Sequence, residues 1–399
     1  MAVACGLNHI ETSELLHSYW RLDSLGQFQP QVTFGLDQIP ISENPQPGIA
    51  IGDSGQIIIA LRRCNVNNCD SAYYVMFDRN DQQLFRTRPA SSATWDLGGA
   101  MGCKVAVALS GKFVIAWTTT VHYPWPFFLS QPMARVFDAD GSPLADEIPV
   151  ACEGYPETCS GDPAYFFNGI VAGQYPDLAI QNNGDFVVAY VKDYYDPCST
   201  QYYFLRRFFA DGTPKGPNIL INDKSNCGAF DPTVRISSDS VGNLLSVFLV
   251  NTGWEEDRWD IFAQRFDNEG QRIGGNYRIN DIPAEWPVGA IEFYAADVNN
   301  AGLVAAAWWE WNALAYGWNL ALQIMDIADI GYVCGDANND KLVDISDAVH
   351  LISYVFSGGY APKDVCLGDA SGDGVVDISD AVTLISYIFQ GGSLPCQCP

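Results

Sequence analysis

Ile49–Leu61 reads IAIGDSGQIIIAL: an apolar run, a turn at Gly55, then a second apolar run. The arrangement returns as VAVALSGKFVIAW (Val105–Trp117), LAIQNNGDFVVAY (Leu178–Tyr190), VRISSDSVGNLLSVFL (Val234–Leu249) and FYAADVNNAGLVAAAWW (Phe293–Trp309). The turn glycines are Gly55, Gly111, Gly184, Gly242 and Gly302. Runs rich in Val, Ile, Phe and Tyr, bounded by Gly, Asp and Asn, are strand and hairpin signals. A second signature follows each hairpin: YYVMFDRNDQQL (Tyr73–Leu84), ARVFDADGSPL (Ala134–Leu144), RRFFADGTPKG (Arg206–Gly216), AQRFDNEGQRIG (Ala263–Gly274) and ALQIMD (Ala321–Asp326). Each unit therefore reads as strand, hairpin, strand, long loop, strand, turn, strand. No long helical pattern interrupts these repeats.

Four-stranded units recurring at a near-fixed period predict a mainly β, five-bladed β-propeller. The last unit lacks a fourth strand. VTFGLDQIPIS (Val32–Ser42) resembles the other fourth strands and is expected to close the ring by pairing with the last blade. Upstream, YWRLDSLGQF (Tyr19–Phe28) imitates the third-strand signature, which leaves a six-bladed count or an added edge strand open. The expected organisation is an N-terminal segment over 1–31, a propeller over 32–331, and a small C-terminal domain over 332–399.

That last domain holds a sharper repeat. GDANNDKLVDISDAVHLISYVFSGG begins at Gly335, and GDASGDGVVDISDAVTLISYIFQGG begins at Gly368. Calcium takes six to eight oxygens, and a 12-residue loop offers them from positions 1, 3, 5, 7, 9 and 12. In the first copy these are Asp336, Asn338, Asp340, the Leu342 carbonyl, Asp344 and Asp347. In the second they are Asp369, Ser371, Asp373, the Val375 carbonyl, Asp377 and Asp380. Two calcium sites are expected. Position 6, a sharp turn that favours Gly, is Gly374 in the second loop and Lys341 in the first. Behind each loop, Ala348, Leu351, Ile352 and Val355, matched by Ala381, Leu384, Ile385 and Ile388, recur at helical spacing. Gly358-Gly359 and Gly391-Gly392 then stop the two helices.

Position 12 is Asp in both loops, where an EF-hand has Glu. With a helix after each loop and no evident helix before it, the pair resembles the dockerin type I repeat over about Cys334–Gly392. The resemblance implies a small α-helical calcium domain of two loop-helix units that docks on a cohesin. It also implies that positions 10 and 11, here Ile345-Ser346 and Ile378-Ser379, contact that partner. The upstream repeats are similar to those of large secreted bacterial proteins that join a propeller-like region to such a pair.

The chain has 399 residues and a formal charge of −26. That balance argues against nucleic acid and against anionic membrane surfaces. No run of 18 apolar residues marks a membrane span. Twelve cysteines without a zinc pattern, and only four histidines, point to disulfides in an oxidising compartment. Local bridges Cys64–Cys69 and Cys152–Cys159 are expected. The start lacks a basic and then apolar leader, so a secreted or cell-surface setting is inferred from the cysteines and calcium loops.

Other motifs are weaker. The turns at Asp138–Gly141, Asp211-Gly212 and Asp267–Gly270 lack the downstream acids of a calcium loop and read as hairpin turns. Trp117, Trp125, Trp254, Trp259, Trp286, Trp308, Trp309, Trp311 and Trp318, with the insertion His122–Leu129, read first as core or interface and second as a carbohydrate platform. Asp193, Asp196, Glu255, Glu256, Asp257 and Glu310 are loop acids from which a glycosidase pair could be drawn, but no signature selects two of them. The preferred functional expectation is a non-catalytic, secreted interaction protein, docked to a cohesin-like partner or to copies of itself. The alternatives are a dockerin-bearing propeller glycoside hydrolase or lyase, and a sugar-binding adhesin.

Overall fold

The computed structural model describes residues 3–8, 16–22, 27–35, 48–64, 69–90, 101–122, 128–151, 170–194, 200–222, 226–227, 233–253, 258–280, 291–299, 302–312, 317–326, 334–338, 342–362, 365–391 and 394. These residues form six antiparallel sheets followed by a helical unit. In chain order the first sheet is β1 (Val3–Asn8), β2 (Leu16–Arg21) and β3 (Val32–Gly35). The second is β4 (Gly48–Ile51), β5 (Ile57–Cys64), β6 (Cys69–Phe77) and β7 (Gln83–Pro89). The third is β8 (Met101–Val107), β9 (Phe113–His122), β10 (Phe128–Phe137) and β11 (Ile148–Pro149). The fourth is β12 (Ile170–Ile180), β13 (Phe186–Tyr194), β14 (Thr200–Phe208) and β15 (Ile219–Leu220), with β16 (Asn226–Cys227) also on β14. The fifth is β17 (Val234–Ser238), β18 (Leu244–Gly253), β19 (Arg258–Phe266) and β20 (Arg272–Arg278). The sixth is β21 (Ile291–Val298), β22 (Leu303–Asn312) and β23 (Gly317–Asp326).

The second strand of each repeat reads as wholly apolar because it feeds two cores. Successive strand side chains point to opposite faces of the sheet. In β5, Ile57, Ile59 and Leu61 pack with Tyr19 and Phe34 of the first sheet, while Ile58 and Ala60 pack with Ile115 and Trp117 of the third. In β9, Val114 and Ala116 turn instead to Phe186, Val188 and Tyr190 of β13. In β13 the remaining residues, Val187, Ala189 and Val191, meet Phe248 of β18. Leu245 and Val247 of β18 meet Val304, Ala306 and Trp308 of β22. Five apolar layers thus join six sheets in sequence order, the face-to-face stacking that a β-propeller uses. Trp117 is fully buried in one of them, so Trp117→Ala is expected to lose about 3–5 kcal/mol of stability, measured by urea unfolding.

The hairpin turns behave as their composition requires. Gly141 N–H bonds to the Asp138 carbonyl, and Gly212 N–H to that of Phe209. Asp140 accepts the Ser142 N–H and hydroxyl, and Asp211 accepts those of Thr213. These are the hairpin turns expected. The N-terminus differs from expectation. Val32–Gly35 pairs with Leu16–Tyr19 of β2, not with β23, and with β1 and β2 it forms a separate first sheet. The sheet is fixed to its neighbour by Tyr19 Oη and Arg21 Nε, which both donate to Asp81 Oδ1 at 2.6 and 2.7 Å. That anchor spans some sixty positions of sequence, so local pattern alone did not reveal it.

Residues 345–390 supply the helices: α1 (Ile345–Ser357), the short α2 (Val365–Gly368) and α3 (Ile378–Gln390). Helices α1 and α3 pack through Ala348, Leu351, Ala381 and Leu384, with Ala337, Ala370, Val343 and Val376 contributed by the loops. Corresponding positions of the two copies fill one core.

Candidate functional sites

Each loop runs straight into its helix, and the same acids do both jobs. Asp344 is the N-cap of α1, and Asp347 at the third helical position bonds back to the Asp344 N–H at 2.9 Å. Asp377 and Asp380 repeat this capping box on α3, with the return bond at 2.8 Å. Loop positions 9 and 12 are therefore also the residues that satisfy the open helix N–H groups. Asp347 Oδ1 reaches across its loop to the Asn338 N–H, and Asp380 Oδ1 to the Ser371 N–H. Asp369 gathers the N–H groups of Gly372, Asp373 and Gly374. Gly374, at φ +87°, makes the sharp turn at loop position 6. The Ser346 hydroxyl and N–H both donate to Asp344, holding its carboxyl below the usual carboxylate range.

Asp336, Asp347 and Asp380 are fully buried. Buried carboxylates need strong compensation. The loop amides supply part of it, and each carboxylate oxygen that accepts one N–H keeps a second lone pair. Among the described residues the acidic side chains are aimed at these amides, and no three of His, Cys, Asp or Glu converge as an ion cage. The donors are nevertheless all hard oxygens from acids, Asn338 and Ser371, the chemistry that suits calcium. Asp340 and Lys341 lie outside the described residues.

Both helices leave an apolar stripe uncovered. On α1 it is Ile345, Val349, Ile352 and Phe356, and on α3 it is Ile378, Val382, Ile385 and Phe389. Ile345 and Ile378, singled out from sequence, are 47% and 41% exposed. Ser346 and Ser379 beside them are half-buried and enter the helix caps.

A second constellation escaped the sequence reading. The first strands of consecutive sheets, β4, β8, β12, β17 and β21, adjoin one another. The approach is close at Gly48, where an added Cβ would lie 2.7 Å from the Cys103 carbonyl oxygen and 2.8 Å from the Lys104 Cα. Seven residues before the hairpin glycine, β4 carries Gly48, β8 Lys104, β12 Asp177 and β17 Arg235. Five residues before Gly302, β21 carries Asp297. Lys104 Nζ lies 3.9 Å from Asp177 Oδ1, and Asp177 Oδ2 accepts the Ile236 N–H at 2.9 Å. Burial pushes the Lys104 ammonium below its usual value; Asp177 opposes this and the Arg235 charge adds to it. Asp297 is reached by water, yet surrounding protein raises its carboxyl, and the negative charge of Asp177 raises it further. Lys104 and Asp177 thus pair where these first strands adjoin, and the charges of Arg235 and Asp297 are felt there. The signal was the register against each hairpin glycine, read for differences between repeats.

The loop acids chosen from sequence do not assemble into a site among the described residues. Glu310 accepts a bond from Trp308 Nε1 at 3.2 Å, and Asp193 is the next-to-last residue of β13. Asp196, Glu255, Glu256 and Asp257 lie outside the described residues, as do Trp125, Trp254, Trp286, Cys152 and Cys159. Trp117 and Trp308 are core residues, and Trp309 is exposed. The β5–β6 register sets Cys64 opposite Cys69, and Cys334 is disulfide-bonded. No helix among the described residues is long and apolar enough to cross a membrane.

Residues 334–390 match the family model for the dockerin type I domain, and the C-terminal unit is such a domain. Dockerin domains bind calcium and cohesins. No curated protein matches the chain. Among solved structures, the chain is similar to an endo-arabinase from Bacteroides thetaiotaomicron at 13% identity, covering 74% of this chain and 99% of that one, with a TM-score of 0.38. It is similar to an α-L-arabinanase of Penicillium chrysogenum at 12% identity, 82% and 90% coverage and a TM-score of 0.45. It is also similar to an ulvan lyase at 11% identity, 80% and 83% coverage and a TM-score of 0.44. The likeness is one of fold. These structures are of polysaccharide-cleaving enzymes; the expectation of a non-catalytic assembly subunit is not carried forward, and the enzyme alternative is taken up below.

Proposed function

We propose that the β domain is a carbohydrate-active enzyme, a glycoside hydrolase or lyase, carried to an extracellular cohesin by the dockerin domain. The β domain extends to residue 331 and the dockerin domain covers 332–399. The observation that carries the reading is the meeting of Asp177 and Asp297 with Lys104 on the innermost strands. Glycoside cleavage needs one carboxyl that holds its proton to give to the leaving oxygen, and a second group that serves as base or nucleophile. Environments that push two titratable groups apart assign these roles. Asp297, whose carboxyl is raised by the surrounding protein and by its acidic neighbour, is the proton donor. Asp177, ion-paired with Lys104, is the opposing carboxylate. In an elimination, Lys104, whose ammonium is held below its usual value by burial, is the base instead.

The dockerin domain holds two calcium ions through the loop residues named above. Its partner surface is centred on Ile345-Ser346 and Ile378-Ser379 and extends along the two apolar stripes. Ile345→Asp together with Ile378→Asp is expected to weaken capture by an immobilised cohesin at least tenfold without loss of helical circular dichroism. Unchanged capture would move the docking surface elsewhere.

The enzyme reading is tested on a panel of plant and algal polysaccharides. New reducing ends without ultraviolet absorbance mark hydrolysis; reducing ends with an unsaturated, absorbing product mark elimination. The hydrolase further predicts a rate that falls as pH rises through the raised pKa of Asp297, because the proton it donates is then lost. Absence of turnover on the whole panel would refute the proposal.

A further inference from the structure

The second to fifth sheets each bury residues of both faces in the apolar layers, whereas the sixth does so with one. Val304, Ala306 and Trp308 of β22 meet the fifth sheet. On the opposite face Leu303, Trp309, Leu320, Leu322 and Ile324 are 44% to 66% exposed. The β22–β23 register sets Trp309 opposite Leu320, Ala307 opposite Leu322 and Ala305 opposite Ile324, so these residues share one surface with a floor of alanines. Among the described side chains the one charge on this face is Asp297, opposite Ala305. An exposed apolar patch of this kind marks an interaction site. In a chain of formal charge −26 it is also a place where acidic surfaces can approach with little repulsion.

The chain carries matching surfaces of its own. Ile345, Val349, Ile352 and Phe356 run along α1 as an exposed stripe, and Ile378, Val382, Ile385 and Phe389 repeat it on α3. Asp326 ends β23 on the bare sheet itself, and Cys334 begins the dockerin match after the seven residues 327–333. Seven residues reach at most about 25 Å. The ten residues of β23 span about 33 Å, and a helix of 13 residues about 20 Å. A connection that short sets the local concentration of each surface at the other in the region of about 1 mM.

We propose that the bare face of the sixth sheet is a docking surface for the dockerin domain of its own chain, with the stripe of α1 or α3 lying across Ala305 and Ala307. A helix laid on an apolar sheet face is a standard way of covering it. The docked form holds the β domain against its dockerin and turns one stripe inward, so a partner that needs that stripe competes with the sheet. The inference uses the stripes and not the identity of the partner, and stands or falls apart from the cohesin reading.

The experiment is carbene footprinting of the full chain in millimolar calcium, read residue by residue by mass spectrometry. Trp309, Leu322 and Ile324 are expected to label at least threefold less in the parent than in Phe356→Asp combined with Phe389→Asp. Those positions are exposed and lie outside the core of Ala348, Leu351, Ala381 and Leu384, and helical circular dichroism checks that the domain remains folded. The reciprocal variant, Leu322→Asp, should raise labelling of Phe356 and Phe389 at least threefold. Equal labelling of the sheet face in parent and stripe variant overturns the inference: high labelling in both leaves the face open, and low labelling in both assigns its cover to the β domain. Protection that fades on dilution assigns the cover to a second copy and overturns it as well. If the stripe variant loses its helical signal, the Leu322→Asp arm decides, and unchanged labelling of Phe356 and Phe389 overturns the proposal. Protection that the variants remove, in a chain that captures no cohesin, would leave the docking surface standing and end the cohesin reading.

Discussion

Asp177→Asn is expected to lower turnover by about 10²- to 10⁴-fold, the usual contribution of a positioned acid or base. Asn preserves the shape and one acceptor oxygen, so the bond from the Ile236 N–H can persist. What goes is the negative charge. Its loss has two further consequences. Lys104 is left without the anion that opposes its desolvation, and its pKa falls further. Asp297 loses the neighbouring charge that raises it, so its own pKa falls. If Asp297 is the proton donor, residual activity should therefore decline at lower pH than in the parent enzyme. A merely structural role for Asp177 would not move the pH profile. The control is Asp211→Asn in a hairpin turn, where the Thr213 bonds are local and activity should be unchanged. Parental turnover in Asp177→Asn would remove the inner-strand site from the chemistry.

Much of the β architecture was legible because each strand reports its own environment. Val114, Ala116, Ile115 and Trp117 are all apolar since alternate residues enter different cores, and the turn glycines fix where each strand ends. Closure was not legible. Val32–Gly35 has the composition of a fourth strand, and composition does not say which third strand it joins; Tyr19, Arg21 and Asp81 decide that through contacts remote in sequence. The inner-strand site was overlooked for a related reason. Repeats are found by what recurs, whereas Gly48, Lys104, Asp177 and Arg235 are what does not recur at an otherwise constant position. In the dockerin domain the information is local: twelve residues supply the loop, the helix cap and the oxygen-bearing side chains together.

Removal of calcium by a chelator is expected to abolish most of the helical circular dichroism while leaving the β signal intact. Among the described residues every helix lies between Ile345 and Gln390, so the helical signal of these residues reports the dockerin domain. Its core is small, built on Ala337, Ala348, Leu351, Ala370, Ala381 and Leu384, and a domain of this size is marginal by burial alone. An ion present at about 100 times its dissociation constant adds roughly 2.7 kcal/mol per site, so two sites contribute about 5 kcal/mol. The loss is compounded at the helix starts. Asp344, Asp347, Asp377 and Asp380 would ligate and cap at once, and each cap is worth about 0.5–2 kcal/mol. With the ion gone, the same acids crowd one another and the capping geometry loses its template. Acid should act in the same direction. Asp344 and Asp377 have lowered folded-state pKa values, so their contribution is complete above the ordinary carboxylate range and is lost as pH falls through the lowered values. Asp380→Ala should then unfold the domain at calcium concentrations the parent tolerates, since it removes a proposed ligand, half of the capping box and the bond to the Ser371 N–H together. Helical signal and protease resistance of residues 334–390 that survive both chelator and Asp380→Ala would show that the apolar core and the caps suffice, and that calcium is not what holds this domain together.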